Sequence, residues 1–354
     1  MDLDNLEEIR KADPSDMLGL VEGLPQQCGK AAEIAAAFKL DKSYLGKGKI
    51  SNILVTGLGG SAIGGDLVRT CLLNELKIPV IVNRFYHLPK FVRKKTLVVA
   101  VSYSGNTEET LSAYAEAKER KAKIVGLTTG GKLTEYCKAD GIPFLQIPGG
   151  GSPRASLGYQ AIGLMGILVK LGLVKDKTAE ISESVEVLGS VRDEMKRSVP
   201  ADKNPAKKLA MKLQGKIPVI YASQDLTDVA ALRWKDQFNE NSKAFAFNNV
   251  FPELNHNEIV GWEFPAHMLK DMVVVMIRDK KENPQVKKRF EITGNLLKGA
   301  ASEVLEYHTR GKSIMARLYS IILLGDLTSV YLAFLNGADP TPVKRIEELK
   351  KQLA

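Results

Sequence analysis

Cysteine and histidine are scarce in this sequence, and their scarcity excludes several kinds of site. The cysteines are Cys28, Cys71 and Cys137, and the histidines are His87, His256, His267 and His308. The cysteines are odd in number and far apart, so they form neither a disulfide framework nor a metal-binding knuckle. No two histidines have the spacing of metal ligands, so we expect no zinc or iron site.

Long unbroken apolar runs are also missing, and the first residues do not have the pattern of a signal peptide. No stretch reaches the roughly 18 unbroken apolar residues expected of a membrane helix. The first residues, Met1-Asp2-Leu3-Asp4, are acidic and lack the apolar core of a signal peptide. The hydrophobic content of 44% and the charged content of 26% are those of a soluble globular protein. We therefore expect a cytoplasmic protein that binds no membrane.

The formal net charge of +9 is not gathered into a nucleic-acid-binding surface. Lysines and arginines are spread along the chain, and the densest cluster, Lys280-Lys281 with Lys287-Lys288-Arg289, is typical of a solvated helix face. No basic stripe alternates with aromatic residues, so no nucleic-acid partner is expected. A positive field does suit a small anionic substrate.

The order of apolar runs and helix-forming segments predicts an α/β fold. Two N-terminal helices are expected within residues 1–45. Strands then alternate with helices at a spacing that predicts a parallel sheet with right-handed crossovers, and the second half echoes the first. The predicted strands are 52–56, 79–82, 96–101, 123–127 and 143–145, then 217–222, 244–247, 272–277 and 302–307.

The chain is long enough for two domains. The segment Pro148–Pro153, with its three consecutive glycines, is the clearest boundary. We predict N-terminal helices that pack on the core, a first α/β domain, linking helices, a second α/β domain and a C-terminal helix. The corresponding ranges are 1–45, 46–152, 153–200, 201–335 and 336–354.

A serine-rich turn follows the apolar run 96–101 and is the strongest candidate site. Its sequence is Ser102-Tyr103-Ser104-Gly105-Asn106-Thr107-Glu108-Glu109-Thr110. Ser104 or Asn106 is expected to cap the following helix, and the acidic pair falls in its first turn, where the helix dipole favours it. Hydroxyls and free N–H groups at a helix N-terminus form an anion site, for which phosphate is a natural ligand. The alternative is a well-capped turn without a ligand.

A glycine-rich turn, Gly57-Leu58-Gly59-Gly60-Ser61-Ala62, follows the first predicted strand and has two interpretations. It satisfies the G-x-G-x-x-A fingerprint of dinucleotide-binding turns. That fingerprint expects a carboxylate at the end of the next strand, where this sequence has Val82-Asn83-Arg84. NADP stays open because Arg84 could meet a 2′-phosphate. The favoured interpretation is that the glycines let the backbone approach a sugar and place Ser61 at a second helix N-terminus.

Two titratable residues of the second half complete a candidate reaction centre. Glu240 lies at the end of a predicted helix and just before a strand. A carboxylate at the mouth of a sheet acts as a general base when partial burial raises its pKa. His256 lies in a loop among polar groups that can fix its tautomer. Each residue alone is more often a solvated acid or a surface histidine, but together with two anion-binding turns they match proton transfer next to a carbonyl.

These motifs resemble those of the bifunctional phosphoglucose/phosphomannose isomerases, which are two-domain members of the sugar isomerase (SIS) superfamily. The resemblance runs from about residue 50 to the C-terminal segment Asp339–Val343. It is carried by the motifs Gly59–Gly65, Ser102–Thr110, Pro153–Gly158 and Pro252–Glu258. The serine-rich turn is shared by many SIS proteins, whereas the Asn-His-Asn-Glu loop, the Pro-Arg motif and the ending are more selective.

The resemblance implies a fold and a reaction. The fold would be two SIS-type domains, each a doubly wound parallel sheet flanked by helices, with the C-terminal helix contributing to the active site. The reaction would be reversible aldose–ketose isomerisation of glucose 6-phosphate and mannose 6-phosphate to fructose 6-phosphate through a cis-enediol. It would need no metal and no redox cofactor. The family also implies a homodimer in which His256 is donated across the interface.

The resemblance further implies roles for individual residues. Substrate binding is implied for Gly60, Ser61, Ser102, Ser104, Thr107 and Thr341, and catalysis for Glu240, His256, Lys350 and Arg154. Glu240 would move the proton between C2 and C1, Arg154 would stabilise the enediolate, and His256 would serve ring opening. Lys344 and Lys351 are alternatives to Lys350 as the lysine of the last helix.

Other functions share parts of this pattern. A non-catalytic SIS-domain regulator that binds a sugar phosphate is the main alternative, although the N-terminal residues lack a basic recognition helix. The SIS half of an amidotransferase would need a glutaminase domain with a cysteine at position 2, where this chain has Asp2. An NADP dehydrogenase is the most distant alternative, and cofactor binding would separate it from the others.

Overall fold

The computed structural model describes residues 1–46 and 49–353. Lys47, Gly48 and Ala354, which fall within the predicted ranges 46–152 and 336–354, lie outside the described residues. The chain divides into two compact units. The first-sheet unit comprises Gly23–Val187 and Gly311–Ala316, and the second-sheet unit comprises Met1–Glu22, Leu188–Arg310 and Arg317–Ala354.

The N-terminal segment forms three α-helices, so the expectation of two is wrong. They are α1 (Leu6–Ala12), α2 (Met17–Glu22) and α3 (Leu24–Ala37), followed by a 3-10 turn at Lys42–Leu45. Asp13 ends α1, and its carboxylate accepts the N–H groups of Met17 and Leu18 at 2.8 Å each, which starts α2. Gly23 then separates α2 from α3. Two short breaks therefore divide into three helices the segment for which the apolar pattern predicts two.

The first-sheet unit is built on a five-stranded parallel sheet. Its next elements are β1 (Asn52–Thr56), α4 (Gly60–Leu72), β2 (Val80–Asn83), β3 (Thr96–Ser102), α5 (Glu108–Glu119), β4 (Lys123–Thr128), α6 (Gly131–Ala139), β5 (Phe144–Gln146), α7 (Leu157–Lys170) and the first part of α8 (Thr178–Met195), which belongs to the second-sheet unit from Leu188 onward. The strand order is β2-β1-β3-β4-β5, and every pairing is parallel. The chain leaves β1 toward one side of the sheet and leaves β3 toward the other. The carboxyl ends of β1 and β3 therefore flank a switch point, where open α/β sheets bind ligands.

The second-sheet unit repeats this design with four parallel strands. Its elements are α9 (Pro205–Leu213), β6 (Ile217–Ser223), α10 (Asp228–Glu240), β7 (Phe247–Phe251), α11 (Ala266–Leu269), β8 (Met272–Arg278), α12 (Pro284–Leu297), β9 (Glu303–His308), α13 (Ile314–Leu335) and α14 (Lys344–Leu353). The order is β7-β6-β8-β9, so its switch point lies between β6 and β8. The expected α/β fold with parallel sheets flanked by helices is confirmed.

The strand expected at 244–247 is wrong, because β7 begins only at Phe247. Helix α10 extends to Glu240, and Asn239 Oδ1 accepts the N–H of Ala246 at 3.3 Å. Phe245 and Phe247 imitate the alternation of a strand, but their rings stack edge to face with centroids 4.8 Å apart and stay exposed. The true strand pairs from Phe247 opposite Val219 onward.

Among the described residues, α13 alone is long and apolar enough to cross a membrane by length and composition. Of its most apolar window, 94% is buried inside the structure, as in the core helix of a soluble protein. Arg233 of α10 donates from Nε and Nη2 to the two carboxylate oxygens of Asp326 of α13, at 2.9 and 2.6 Å. A Cβ added at Gly325 would lie 2.1 Å from Trp234 Nε1, so the two helices are in close contact. Helix α13 therefore fixes the position of α10.

Candidate active site

The serine-rich turn lies at the carboxyl end of β3. Ser102 Oγ and Thr107 Oγ1 are 2.9 Å apart, and the N–H of Thr107 donates to Ser102 Oγ at 3.4 Å. Ser104 Oγ accepts the N–H of Asn106 at 3.2 Å. Ser102 is buried and Ser104 is exposed, so the turn presents hydroxyls both inside the protein and toward solvent.

The expected capping of α5 by Ser104 or Asn106 is wrong. Thr107 holds the N-cap position and makes no side-chain capping bond within the described part of the chain. Asn106 Oδ1 instead accepts the N–H of Lys132 at 3.1 Å, in the first turn of α6. Helix α5 thus begins without a capping side chain. A bound anion would take that position, next to the N–H groups and the positive end of the helix dipole.

The serine-rich turn is held in place by the loop that follows β4. Gly105 has a φ of +71°, and a Cβ there would lie 1.7 Å from the carbonyl oxygen of Gly130. The carbonyl of Tyr103 accepts both the N–H and the hydroxyl of Thr129, at 3.1 and 2.8 Å. Position 105 therefore requires glycine for its backbone conformation and for its close contact with the neighbouring loop.

The glycine-rich turn lies at the carboxyl end of β1 and opens into α4 at Gly60. Ser61 is buried in the first helical turn. A Cβ at Gly60 would lie 2.8 Å from the carbonyl oxygen of Pro153, so the 3-10 turn Pro153–Ala155 packs directly on the start of α4. Arg154 in that turn is only 7% exposed, and its Nη1 donates to Ser152 Oγ at 3.2 Å.

These features form one arrangement, which we name the first crevice: the turns Gly57–Ser61 and Ser102–Thr107 together with Arg154. Strands β1 and β3 are neighbours in register, so the two turns lie at the same edge of the sheet. The structure thus brings hydroxyls, two helix N-termini and a buried guanidinium to one unit. Arg84, which the dinucleotide interpretation would use, forms an ion pair with Asp66 of α4.

Glu240 is the last residue of α10 and is half-buried. In a parallel sheet, the helix that leads into a strand ends at the amino edge of the strands. Glu240 therefore lies at the amino edge of the second sheet, and the expectation that it lies at the mouth of that sheet is wrong. Two turn residues anchor it to α13: Asn241 Nδ2 donates to Ser329 Oγ at 2.9 Å, and Ser242 Oγ donates to the carbonyl of Ser329 at 2.6 Å.

Lys243 joins the end of α10 to the C-terminal segment. Its Nζ donates to the carbonyl of Glu240 at 2.6 Å and to the carbonyl of Pro340 at 3.1 Å. The backbone of Lys243 has a φ of +55°, an uncommon conformation for a residue with a side chain. Thr341, the residue after Pro340, therefore lies close to the turn that follows Glu240. Helix α14, which carries Lys350, comes next and has no buried residue over its described length.

His256 lies in a 3-10 turn just after the carboxyl end of β7, and it is exposed. Glu240 precedes the amino end of the same strand, whose five residues span roughly 16 Å at the usual rise. Within the second-sheet unit, the structure therefore does not bring Glu240 and His256 together.

The carboxyl edge of the second sheet carries a polar network that the sequence analysis missed. Asp279, directly after β8, accepts from Arg317 Nε at 2.8 Å and from Thr309 Oγ1 at 2.6 Å. Next to it, Arg278 pairs with Glu282 at 3.0 Å. We name this network, with the turn that follows β6, the second crevice. The Arg278-Asp279 pair at the end of an apolar strand is the signal that could have found it, because Arg278 ends β8 as Ser102 ends β3.

Comparison with known proteins gives consistent matches over both units. Residues 202–353 match the family described as "Bacterial phospho-glucose isomerase C-terminal SIS domain", and residues 49–138 match the SIS domain family. A bifunctional phosphoglucose/phosphomannose isomerase from Caldicellulosiruptor bescii is 49% identical over 338 residues, covering 96% of this chain and 99% of the relative. A protein of the same name from Aquifex aeolicus is 38% identical and covers 85% and 90%, respectively.

A solved structure supports the fold. The crystal structure of a hypothetical protein from Thermus thermophilus superimposes with a TM-score of 0.72 over 98% of this chain and 94% of that chain. The sequence identity is 18%, so this likeness concerns the fold alone.

Proposed function

Because the chain belongs to the family of bifunctional phosphoglucose/phosphomannose isomerases, we propose that it interconverts glucose 6-phosphate and mannose 6-phosphate with fructose 6-phosphate. The observation that carries the proposal is the first crevice, where a hydroxyl-lined turn precedes an uncapped helix at the switch point of the first sheet. The division into five ranges, 1–45, 46–152, 153–200, 201–335 and 336–354, belongs to the same proposal.

The phosphate group binds in the serine-rich turn. The hydroxyls of Ser102, Ser104 and Thr107 hydrogen-bond its oxygens, and the start of α5 supplies N–H groups and a favourable dipole. The sugar lies along the backbone of Gly60 and beside Ser61, at the start of α4. These contacts fix the phosphate end of the substrate, and they thereby hold C1 and C2 at a defined distance from the serine-rich turn.

Isomerisation then requires a carbon-bound proton to move from C2 to C1 and a hydroxyl proton to move from O2 to O1. Glu240 removes the proton from C2 of the open-chain aldose and returns it to C1, through a cis-enediol. Rotation about the C2–C3 bond lets the same carboxylate serve both epimers. The guanidinium of Arg154 stabilises the negative charge on the enediolate oxygens, and its burial strengthens that interaction by excluding water. Thr341 contacts the O1–O2 region of the sugar. The catalytic lysine that the family places in its last helix is Lys350, with Lys344 and Lys351 as alternatives.

We propose a cytoplasmic homodimer in which His256 opens the sugar ring in the site of the neighbouring subunit. The separation of His256 and Glu240 at opposite ends of β7 supports this arrangement, because one chain alone does not join them. Val260 and Phe264, which follow His256, are 67% and 81% exposed in the single chain. Exposed apolar side chains of this size are typical of a surface that a partner covers.

The test of the reaction is a coupled assay with glucose 6-phosphate and mannose 6-phosphate, each with and without EDTA. The proposal expects turnover of both substrates and no effect of EDTA, because the sequence has no histidine pair with metal-ligand spacing. Binding of both sugars without turnover would point to a non-catalytic sensor, and loss of activity in EDTA would contradict the metal-free reaction.

The test of the shared site is subunit complementation. Glu240→Gln and His256→Ala are each inactive or nearly so, and are mixed, unfolded and refolded together. If His256 acts across the interface, heterodimers contain one complete site, and about a quarter of wild-type activity returns in a random equimolar mixture. If both residues act within one chain, the mixture stays as inactive as its parents.

A further inference from the structure

The loop that carries His256 is anchored on both sides, although the imidazole itself is exposed. On the N-terminal side, Leu254 is fully buried, Asn255 Nδ2 donates to Thr293 Oγ1 at 2.9 Å, and Arg289 Nη1 donates to Asn255 Oδ1 at 3.2 Å. The polar anchors come from α12, so this side of the loop is attached to that helix.

The C-terminal anchor is Glu258, which contacts two strands of the second sheet. The hydroxyl of Tyr221 on β6 donates to Glu258 Oε1, and Asn249 Nδ2 on β7 donates to Glu258 Oε2 at 2.5 Å. Trp262 Nε1 donates to the Tyr221 hydroxyl at 2.8 Å. Both carboxylate oxygens of Glu258 are therefore satisfied by donors on rigid strands.

The direction of these hydrogen bonds is fixed by the chemistry of their partners. Burial, together with the charge of Glu258, raises the pKa of Tyr221, so the phenol keeps its proton and donates it. Trp262 can only donate, which makes the tyrosine oxygen its acceptor. The chain of donors runs from Trp262 through Tyr221 to Glu258, and each half-buried or buried group has the partner that it requires.

We propose that Glu258 is a positioning residue that sets the height and orientation of His256 above the sheet, through Tyr221 and Asn249. This inference rests on the proposed role of His256 in ring opening. Glu258 follows His256 by two positions, and Asn257 Oδ1 accepts the backbone N–H of Glu258 at 2.6 Å. The turn that presents the imidazole is thus continuous with a residue whose carboxylate is held by β6 and β7. Misplacing a catalytic group by about 1 Å can lower a rate by about 100-fold.

The experiment compares a cyclic substrate with one that cannot close a ring. Glucose 6-phosphate requires ring opening, whereas 4,5-dideoxyglucose 6-phosphate has no hydroxyl that can form a five- or six-membered ring. In Glu258→Gln we expect kcat/KM for glucose 6-phosphate to fall by about 10-fold or more, and that for the dideoxy analogue to change by less than about 2-fold. Tyr221→Phe, which removes one donor without changing the shape of the core, should show the same selective loss.

A matched control lies in the same loop. Glu253 is exposed, and its carboxylate accepts from Asn257 Nδ2 at 2.8 Å, a bond that stays within the loop. Glu253→Gln should leave both substrates unaffected. Equal losses on both substrates in Glu258→Gln, or no loss in Glu258→Gln and Tyr221→Phe, would overturn the positioning role.

His256→Ala in the same assay separates this inference from the proposed function. If His256→Ala loses activity selectively on the cyclic sugar and the Glu258 and Tyr221 variants do not, only the positioning role fails. If His256→Ala affects both substrates equally, its assignment to ring opening fails as well.

Discussion

The first and second crevices occupy equivalent places in two sheets of similar topology, yet they carry opposite chemistry. In the first crevice, serine and threonine hydroxyls precede an uncapped helix start, and the turn Ser102–Thr107 contains no carboxylate. In the second crevice, Asp279 supplies a negative charge from within the protein, bound by Arg317 and Thr309. The first crevice is therefore suited to an anionic ligand, and the second already contains its own anion.

The two units therefore differ in which edge of the sheet carries their candidate residues. The first-sheet unit has hydroxyls and helix N-termini at its carboxyl edge, where open α/β sheets usually bind ligands. The second-sheet unit fills that edge with ion pairs and presents Glu240 at the opposite edge. Equivalent topology thus does not give equivalent sites, because the residues that follow each strand decide what an edge can bind.

The largest expected effect concerns the stability of the second crevice. Asp279→Ala removes the carboxylate that pairs with Arg317. The side chains of both residues are at most 6% exposed. Breaking a buried ion pair on one side typically costs about 3–5 kcal/mol, because the remaining charge stays desolvated. The free energy of unfolding in urea should fall by about that amount.

The control for this change is Asp271→Asn, which breaks the ion pair with Lys216 on the surface, where Asp271 is 61% exposed. Its effect on the free energy of unfolding should stay within about 1 kcal/mol. A similarly small effect of Asp279→Ala would show that the second crevice does not hold a tightly bound internal anion.

The next effect concerns catalysis at the amino edge. Glu240→Gln keeps the size of the side chain and removes the base, so kcat should fall by at least about 100-fold while KM changes little. Asp236→Asn, one turn earlier on α10 and paired with Lys235, is the matched control and should keep kcat. Retained turnover in Glu240→Gln would remove this residue as the base.

A smaller effect distinguishes the roles of the two crevices in substrate binding. Ser104→Ala should raise KM about 10-fold with little change in kcat, because a hydrogen bond to a charged phosphate is lost. Ser223→Ala removes the serine at the end of β6, in the second crevice, and should leave KM unchanged. Unchanged KM in Ser104→Ala, or equal increases in the two variants, would remove the distinction between the crevices.

The smallest effect tests the link between Glu240 and the C-terminal segment. Lys243→Met removes the two hydrogen bonds to the carbonyls of Glu240 and Pro340, and should lower kcat by about 2- to 10-fold at constant KM. Lys216→Met is the control, because Lys216 Nζ also donates to a backbone carbonyl, that of Lys270, at 3.2 Å. If both variants behave alike, the link has no specific role in catalysis.

Features that depend on neighbouring residues could be predicted from the sequence. The buried run of β3 and the hydroxyls after it define the serine-rich turn locally, and the glycines before Ser61 define the start of α4. The parallel sheets also follow from the alternation of apolar strands and helices.

Features that depend on distant partners could not be predicted. The local pattern predicts that Asn106 caps its own helix, but its side chain bonds to the start of α6, which only the packing of two loops brings near. The Arg278-Asp279 pair is visible in the sequence, but the partner of Asp279 could not be identified, because Arg317 on α13 lies 38 residues further along the chain. The edge of the sheet at which Glu240 lies could, by contrast, have been derived, because the helix that leads into a parallel strand ends at the amino edge.

The most direct measurement is a crystal structure of the protein with fructose 6-phosphate bound. We expect the phosphate within about 3 Å of the hydroxyls of Ser102, Ser104 and Thr107, at the start of α5, with the Glu240 carboxylate facing C1 and C2. A phosphate found at Arg317 and Asp279, or a Glu240 side chain turned away from the sugar, would contradict this expectation.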